Sequence, residues 1–242
     1  LNQRIVIIPT YNEKENIELM IRKVFSMPVL FDVLIVDDNS PDGTGNIVKS
    51  LMNEYKELHI LERKEKNGLG TAYIAGFRWC LDKGYDYIFE MDADFSHNPD
   101  DLARLYEACV NGADMSVGSR YITGVNVVNW PMSRVMLSYF ASMYVRLITG
   151  MKIQDTTAGF VCYTRKVLQI IDLDNIKFRG YAFQIEMKFT AWKHGFQLTE
   201  VPIIFTDRTR GESKISSGII KEAVWGVLAM KIKSWFRKYR KA

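Results

Sequence analysis

The stretch "FDVLIVDD", Phe31–Asp38, runs apolar from Val33 to Val36 and then stops on two acids. A strand with one wet face alternates apolar and polar residues. A run without alternation reads as a strand buried on both faces, the habit of parallel sheets. "RIVIIPTY", residues 4–11, has the same character. Between the two runs, Ile17, Met20, Ile21 and Val24 recur at helical spacing within Glu13–Phe25. Strand, helix and strand make a βαβ unit, and the pattern continues with helix 45–55, strand 58–63, helix 70–84, strand 85–94, helix 99–112 and strand 114–121. This order predicts an α/β chain: a Rossmann-like, doubly wound, mainly parallel sheet with right-handed crossovers. Ligands of such sheets bind beyond the carboxyl ends of the strands. The chemistry is therefore expected at "PTYNE" (9–13), "DDNSPDGT" (37–44) and "DADFSH" (92–97), which all follow strands.

The second half is less regular. Pro131–Gly150 reads as a long helix, apolar on most of its surface, and Tyr181–Lys193 as a helix between strands in "AGFVCYTRK" and "QLTEVPIIF". No repeat or linker composition interrupts the chain. The expected organisation is one domain over residues 1–222 and an appended tail, 223–242. With 48% hydrophobic and 25% charged residues, the 242-residue chain has the balance of a folded globular protein. Cys80, Cys109 and Cys162 are scattered, which argues against a disulfide framework or a zinc site and for a reducing compartment. Leu1–Thr10 lacks the features of a secretory signal, and no apolar run reaches the ~20 residues of a spanning helix. The tail holds Lys231, Lys233, Arg237, Lys238, Arg240 and Lys241 and no acid, so the rest of the chain is mildly acidic. Basic charge confined to one end does not make a nucleic-acid-binding domain.

In an extended segment Asp92 and Asp94 point to one side, and paired carboxylates repel unless a cation or donors neutralise them. Mg²⁺ and Mn²⁺ take such ligands together with phosphate oxygens and water. Asp100 and Asp101 suit a helix N-terminus instead. Asp37 and Asp38 precede the turn sequence "SPDG" and read either as a tight loop or as a carboxylate reaching a ribose or base edge. Gly68 and Gly70 precede a helix, compatible with a backbone that approaches phosphates. Arg120, Arg134, Arg208, Arg210 and Lys214 supply the positive charge that a diphosphate would need, the last three in "DRTRGESK". His97, alone among the acids, reads as a turn residue or supporting donor rather than a catalyst.

In sequence, order and spacing, "PTYNE", "VDDNSPDGT", "GLGTAYIAGF", "MDADFSH", "GSRY" and "DRTRGESK" closely resemble the dolichol-phosphate (polyprenol-phosphate) mannose synthases. These are inverting family 2 glycosyltransferases with a GT-A fold, and the resemblance runs from Arg4 to Ile220. It implies that Pro9, Tyr11, Glu13, Val36 and Asp38 hold the nucleoside, and that Asp92, Ala93 and Asp94 engage a metal, Mg²⁺ or Mn²⁺, and the diphosphate. Asp94 would be the firmest metal ligand. Arg208 and Lys214 match a diphosphate-binding pair, and Arg120, Arg134 and Ser138 match positions that grip the acceptor phosphate. Asp155 reads equally as a sugar contact or a loop cap. Some relatives carry Gln where this chain has Ser96. The implied reaction transfers mannose from GDP-mannose to a polyprenyl or dolichyl monophosphate, with Asp94, Arg120, Arg208 and Lys214 carrying the catalysis. Two alternatives are another donor, such as UDP-glucose, and a silent nucleotide-binding subunit. A dinucleotide-dependent oxidoreductase is disfavoured because no G-x-G-x-x-G follows the first strand.

Wound as a helix, the tail sets Trp225, Leu228, Ile232, Trp235, Phe236 and Tyr239 on one stripe with its cations opposite. This amphipathic helical tail is either a packing helix or a helix lying in a bilayer interface. The second reading makes the chain a peripheral protein on the cytosolic face of a membrane, with no protein partner legible.

Overall fold

The computed structural model describes residues 3–180, 182–208 and 217–239, with side chains of the last segment from 224 onward. β1 (Arg4–Thr10), α1 (Ile17–Phe25), β2 (Asp32–Asp37), α2 (Thr44–Leu51), β3 (Leu58–Glu62), α3 (Leu69–Lys83), β4 (Tyr87–Glu90), α4 (Leu102–Val110) and β5 (Met115–Ser119) alternate as expected. Then come β6 (Val127–Val128), α5 (Met132–Thr149), β7 (Val161–Thr164), α6 (Arg165–Ile170), α7 (Ala182–Lys193), β8 (Leu198–Pro202), β9 (Phe205–Thr206) and α8 (Ser217–Phe236).

The unbroken apolar runs have a direct cause. β1 and β2 pair in parallel from Ile5↔Asp32 to Thr10↔Asp37. Successive side chains of a strand point to opposite faces. Ile5, Ile7, Leu34 and Val36 enter one layer, with Tyr73 and Phe77 of α3 and Phe183 and Met187 of α7. Val6, Ile8, Val33 and Ile35 enter the other, with α1, α2 and α4. No side of these strands meets water, and each such side chain adds about 1.5–3 kcal/mol by burial.

The large sheet has the order β3-β2-β1-β4-β7-β5-β8. β7 lies between β4 and β5 and is antiparallel to both; the other pairs are parallel. β6 and β9 form a separate parallel pair.

α8 spans residue 223, so that position falls inside a helix. The helix packs by one edge: Val227 and Met230 join Val145 of α5 and Ile185 and Phe189 of α7. Tyr144 Oη donates to the Val224 carbonyl at 2.9 Å, and Lys231 Nζ donates to the Thr149 carbonyl at 2.9 Å. Lys231 thereby serves one of the partnerless carbonyls at the end of α5. Trp225, Ile232, Trp235 and Phe236 point away from the domain and are exposed. Most of the apolar surface of α5 is exposed too, including Met136, Leu137, Phe140 and Leu147. Among the described residues, no helix is long and apolar enough to cross a membrane.

Candidate active site

The ends of β1, β2 and β4 open onto a cavity of about 290 Å³. Asp37 does not face it. Its carboxylate accepts from Thr10 Oγ1 (2.8 Å), Ser40 N (2.9 Å) and Ser40 Oγ (2.6 Å), which knits β1 to the turn after β2. Asp38 lines the cavity, with Arg63 Nη1 3.2 Å from its Oδ1. Burial raises the Asp38 pKa, and Arg63 offsets part of the rise. Pro9, Tyr11 and Glu13 line the same cavity. The Glu13 amide donates to Thr44 Oγ1 at 3.0 Å, so the turns after β1 and β2 brace each other. The Val36 side chain is fully buried in the α3 layer, and the cavity is lined by the residue two positions on. The strand period makes Val36 and Asp38 look equivalent, but the chain leaves the strand after Asp37.

Gly68 lines this cavity, but the glycines serve a different close approach from the one expected. A Cβ on Gly70 would stand 2.7 Å from Phe183 and 2.8 Å from the Phe178 carbonyl; one on Gly68 would stand 2.8 Å from the Arg179 carbonyl. The Gly70 amide donates to that Arg179 carbonyl at 2.8 Å. The Phe178 and Arg179 carbonyls and the Phe183 ring fill the space that a side chain would need.

β4 stops at Glu90, so Asp92 and Asp94 lie in a turn rather than on an extended strand. Both carboxylates nonetheless reach the cavity, with Ala93 between them. The Ser96 amide donates to Asp94 Oδ1 at 3.0 Å, and Arg208 Nη2 lies 3.0 Å from Asp94 Oδ2. The Asp92 amide donates to His97 Nδ1 at 3.1 Å. His97 is buried, stacked on Phe160 with ring centroids 4.9 Å apart and edge-on to Phe205. Burial pushes its pKa down to about 4. Among the described residues, no group of three or more His, Cys, Asp or Glu side chains gathers to hold a metal. The two carboxylates fit a hard divalent cation that takes its other oxygens from diphosphate and water. The Arg208 guanidinium at Asp94 marks the position as one that accepts positive charge.

A second cavity, of about 450 Å³, meets the first at Asp92, Leu69 and Arg208. Arg120, Arg134 and Ser138 line it, as do Trp130 and Gln184, and it continues along Leu137, Phe140, Val145 and Val227 between the helices. Asp155 needs a correction. It is fully buried and takes Arg120 N, Nε (2.6 Å) and Nη2 (2.7 Å), which leaves it no reach to a sugar. Burial opposes ionisation of Asp155, yet the charge and hydrogen bonds of Arg120 outweigh it and lower the pKa. Its loop is held in turn by Glu200, which accepts the Gln154 and Asp155 amides at 2.7 and 2.9 Å. Arg134 pairs with Asp207 at 2.8 Å and lies over the Trp130 ring at 4.1 Å. Lys214 and Arg210 lie outside the described residues.

The motifs had not pointed to Trp130, Lys66, Arg63 or Gln184. Lys66 Nζ sits 4.3 Å above the Tyr11 ring at the mouth of the smaller cavity. Gln184 Nε2 donates to the buried Glu90 at 2.7 Å, and Lys188 Nζ donates to the Gln184 and Ala158 carbonyls. Burial raises the Glu90 pKa and lowers that of Lys188. The trace of Gln184 and Lys188 in sequence is their place on a largely apolar helix, and that of Glu90 its place at the end of an apolar strand.

Residues 5–171 match the profile described as Glycosyl transferase family 2. The chain is 48% identical over 230 residues to the undecaprenyl-phosphate mannosyltransferase of Micrococcus luteus, covering 93% of this chain and 94% of that protein. It is 46% identical to the polyprenol monophosphomannose synthase of Mycolicibacterium smegmatis, covering 92% of this chain and 86% of that one. The fold resembles that of a Pyrobaculum calidifontis mannosyltransferase whose structure holds GDP-mannose and Mn²⁺, with a TM-score of 0.63 at 16% identity over 99% of this chain and 66% of that one. The mainly parallel sheet is thus a GT-A sheet, and the chain belongs to glycosyl transferase family 2.

Proposed function

We propose that this protein transfers mannose from GDP-mannose to a polyprenyl monophosphate with inversion at the anomeric carbon. The observation that carries the reading is the meeting of the two cavities at Asp92 and Arg208. The smaller has the strand-end acids and aromatic of a nucleoside site. The larger has two guanidinium groups at its head and an apolar course between helices, the shape of a phosphate on a hydrocarbon chain. The relatives' names, undecaprenyl-phosphate mannosyltransferase and polyprenol monophosphomannose synthase, favour the same donor sugar and acceptor.

A phosphate monoester has its second pKa near ~6, so the attacking oxygen is anionic at neutral pH and needs no base. His97 suits that scheme, since its Nδ1 is already committed to a backbone amide. The acceptor oxygen forms the new bond to the anomeric carbon as the bond to the GDP β-phosphate oxygen breaks, its electron pair leaving with GDP. Repulsion between two phosphate groups is the obstacle. Arg120 and Arg134 would hold the nucleophile and Arg208, with Lys214, the leaving diphosphate. A divalent cation held by Asp92 and Asp94, Mg²⁺ or Mn²⁺, would neutralise charge developing on the leaving group. Pro9, Tyr11, Glu13 and Asp38 would bind the nucleoside, and Ser138 the acceptor phosphate. Purified protein with Mg²⁺, a panel of labelled sugar nucleotides and a short polyprenyl phosphate tests this directly. Mannolipid from GDP-mannose alone is expected; faster transfer from UDP-glucose would overturn the donor, and no transfer from any donor the enzyme reading.

The membrane part of the proposal rests on the outward faces of α5 and α8. Exposed apolar area of this extent marks a surface that meets something apolar. Trp225, Trp235 and Phe236 beside the exposed Lys233 and Lys238 suit an anionic interface, on the cytosolic side, where each nearby cation adds about 1 kcal/mol. Removing the whole tail would also strip Val227 and Met230 from the core, so substitution is the cleaner test. Replacing Trp225, Trp235 and Phe236 together by Ser should lower partition onto anionic liposomes by about tenfold or more. Unchanged sedimentation of that variant would reduce α8 to a packing helix.

A further inference from the structure

We propose that His97 is a positioning residue: its ring holds the Asp92 amide and thereby sets where the Asp92 and Asp94 carboxylates stand. This rests on the metal-dependent reading given above.

Among the described residues, no sheet pairing holds the turn from Asp92 to His97. β4 ends before it, and Phe95 sits at φ 61°, a left-handed conformation that costs a bulky residue strain unless its surroundings impose it. Two hydrogen bonds close the turn: Ser96 N to Asp94 Oδ1 at 3.0 Å and Asp92 N to His97 Nδ1 at 3.1 Å. A ring nitrogen that accepts carries no proton, so the imidazole is the neutral tautomer with its hydrogen on Nε2.

The ring itself cannot swing. Phe160 stacks on it at 4.9 Å and 18°, and Phe205 meets it edge-on at 5.4 Å. Phe160 directly precedes β7, which pairs with β4, and Phe205 begins β9, three residues before Arg208. The Thr206 amide also donates to the Ser96 carbonyl at 3.3 Å. His97 therefore ties the acidic turn to the sheet on one side and to the segment carrying Arg208 on the other. The same geometry removes it as a metal ligand through Nδ1, because that lone pair is spent on the amide. Groups of this kind, one step behind the ligands, typically change metal affinity or activity by 10–100-fold when replaced.

The test compares wild type with His97→Phe, His97→Asn and His97→Gln, titrating Mn²⁺ in the presence of GDP by electron paramagnetic resonance. Thermal melting and GDP binding without metal are followed in parallel. Asn presents an oxygen near the place of Nδ1, whereas Gln presents its oxygen nearer that of Nε2. Phe should weaken Mn²⁺ binding about tenfold or more, with metal-free GDP binding unchanged. Asn should recover most of the loss and Gln little of it. Should the Phe variant fail to fold, the Asn and Gln pair decides by the same measure. Wild-type Mn²⁺ affinity in the Phe variant, or equal affinities of Asn and Gln, overturns the proposal while leaving the metal site standing. Absence of Mn²⁺ binding by the wild type with GDP overturns the metal reading and this proposal with it.

Discussion

Replacing Asp94 by Asn is expected to cut turnover about 100-fold or more at saturating GDP-mannose, because the change removes charge at the leaving group. The substitution keeps the shape and one carbonyl-type oxygen. The Ser96 amide, now at 3.0 Å from Oδ1, therefore retains an acceptor and the turn its closure. What is lost is the negative charge that meets Arg208 at 3.0 Å and would hold the cation. Thermal melting should stay near that of the wild type while the rate falls. The measurement is initial velocity across a range of Mg²⁺ and Mn²⁺ concentrations. Full activity of the variant in chelator would remove Asp94 from the mechanism.

Replacing Asp155 by Ala should act first on stability. Arg120 is buried and gives Asp155 its backbone amide, Nε and Nη2. Taking away the carboxylate strands a buried guanidinium, which typically costs 3–5 kcal/mol, about. For a domain of this size that is a fall of roughly 6–20 °C in melting temperature. Thr157 Oγ1, 2.8 Å from Nη2, is a neutral acceptor and cannot replace the charge. Arg120 would also lose its aim into the larger cavity, so KM for the acceptor lipid should rise by more than KM for GDP-mannose. A melting temperature and an acceptor KM both near wild type would show that Arg120 does not depend on this pair.

Most of the frame was legible in the sequence because it follows from local periodicity. The runs at 4–11 and 31–38 lack alternation since both faces of β1 and β2 are covered, and Ile17, Met20, Ile21 and Val24 keep helical spacing since one face of α1 is covered. Strand ends carrying acids, "PTYNE", "DDNSPDGT" and "DADFSH", stood out because a parallel sheet presents its ligands there. Those three segments do meet around one cavity. The direction of β7 was not legible. Val161, Cys162 and Tyr163, buried on both faces, look the same whichever way the strand runs, and only the neighbours β4 and β5 make it antiparallel.

The tail was half legible. Its aromatics and cations were visible as a pattern, but the choice of docking edge was not, because Val227, Met230 and Ser234 are no more apolar than the exposed stripe. What selects them is the fit against Val145, Ile185 and Phe189, supplied by helices roughly 40 to 80 residues earlier.

By itself, then, the sequence determined the class of fold, the order of elements and the segments where chemistry gathers, since strand and helix periods and turn residues are local properties. The tertiary structure alone decided which acid in each segment lines the cavity. Asp37 is consumed by Thr10 and Ser40, Asp155 by Arg120, while Asp38, Asp92 and Asp94 face the cavity. A carboxylate's availability depends on which donors fold against it, and those that consume Asp37 and Asp155 include residues 27 and 35 positions away in the chain.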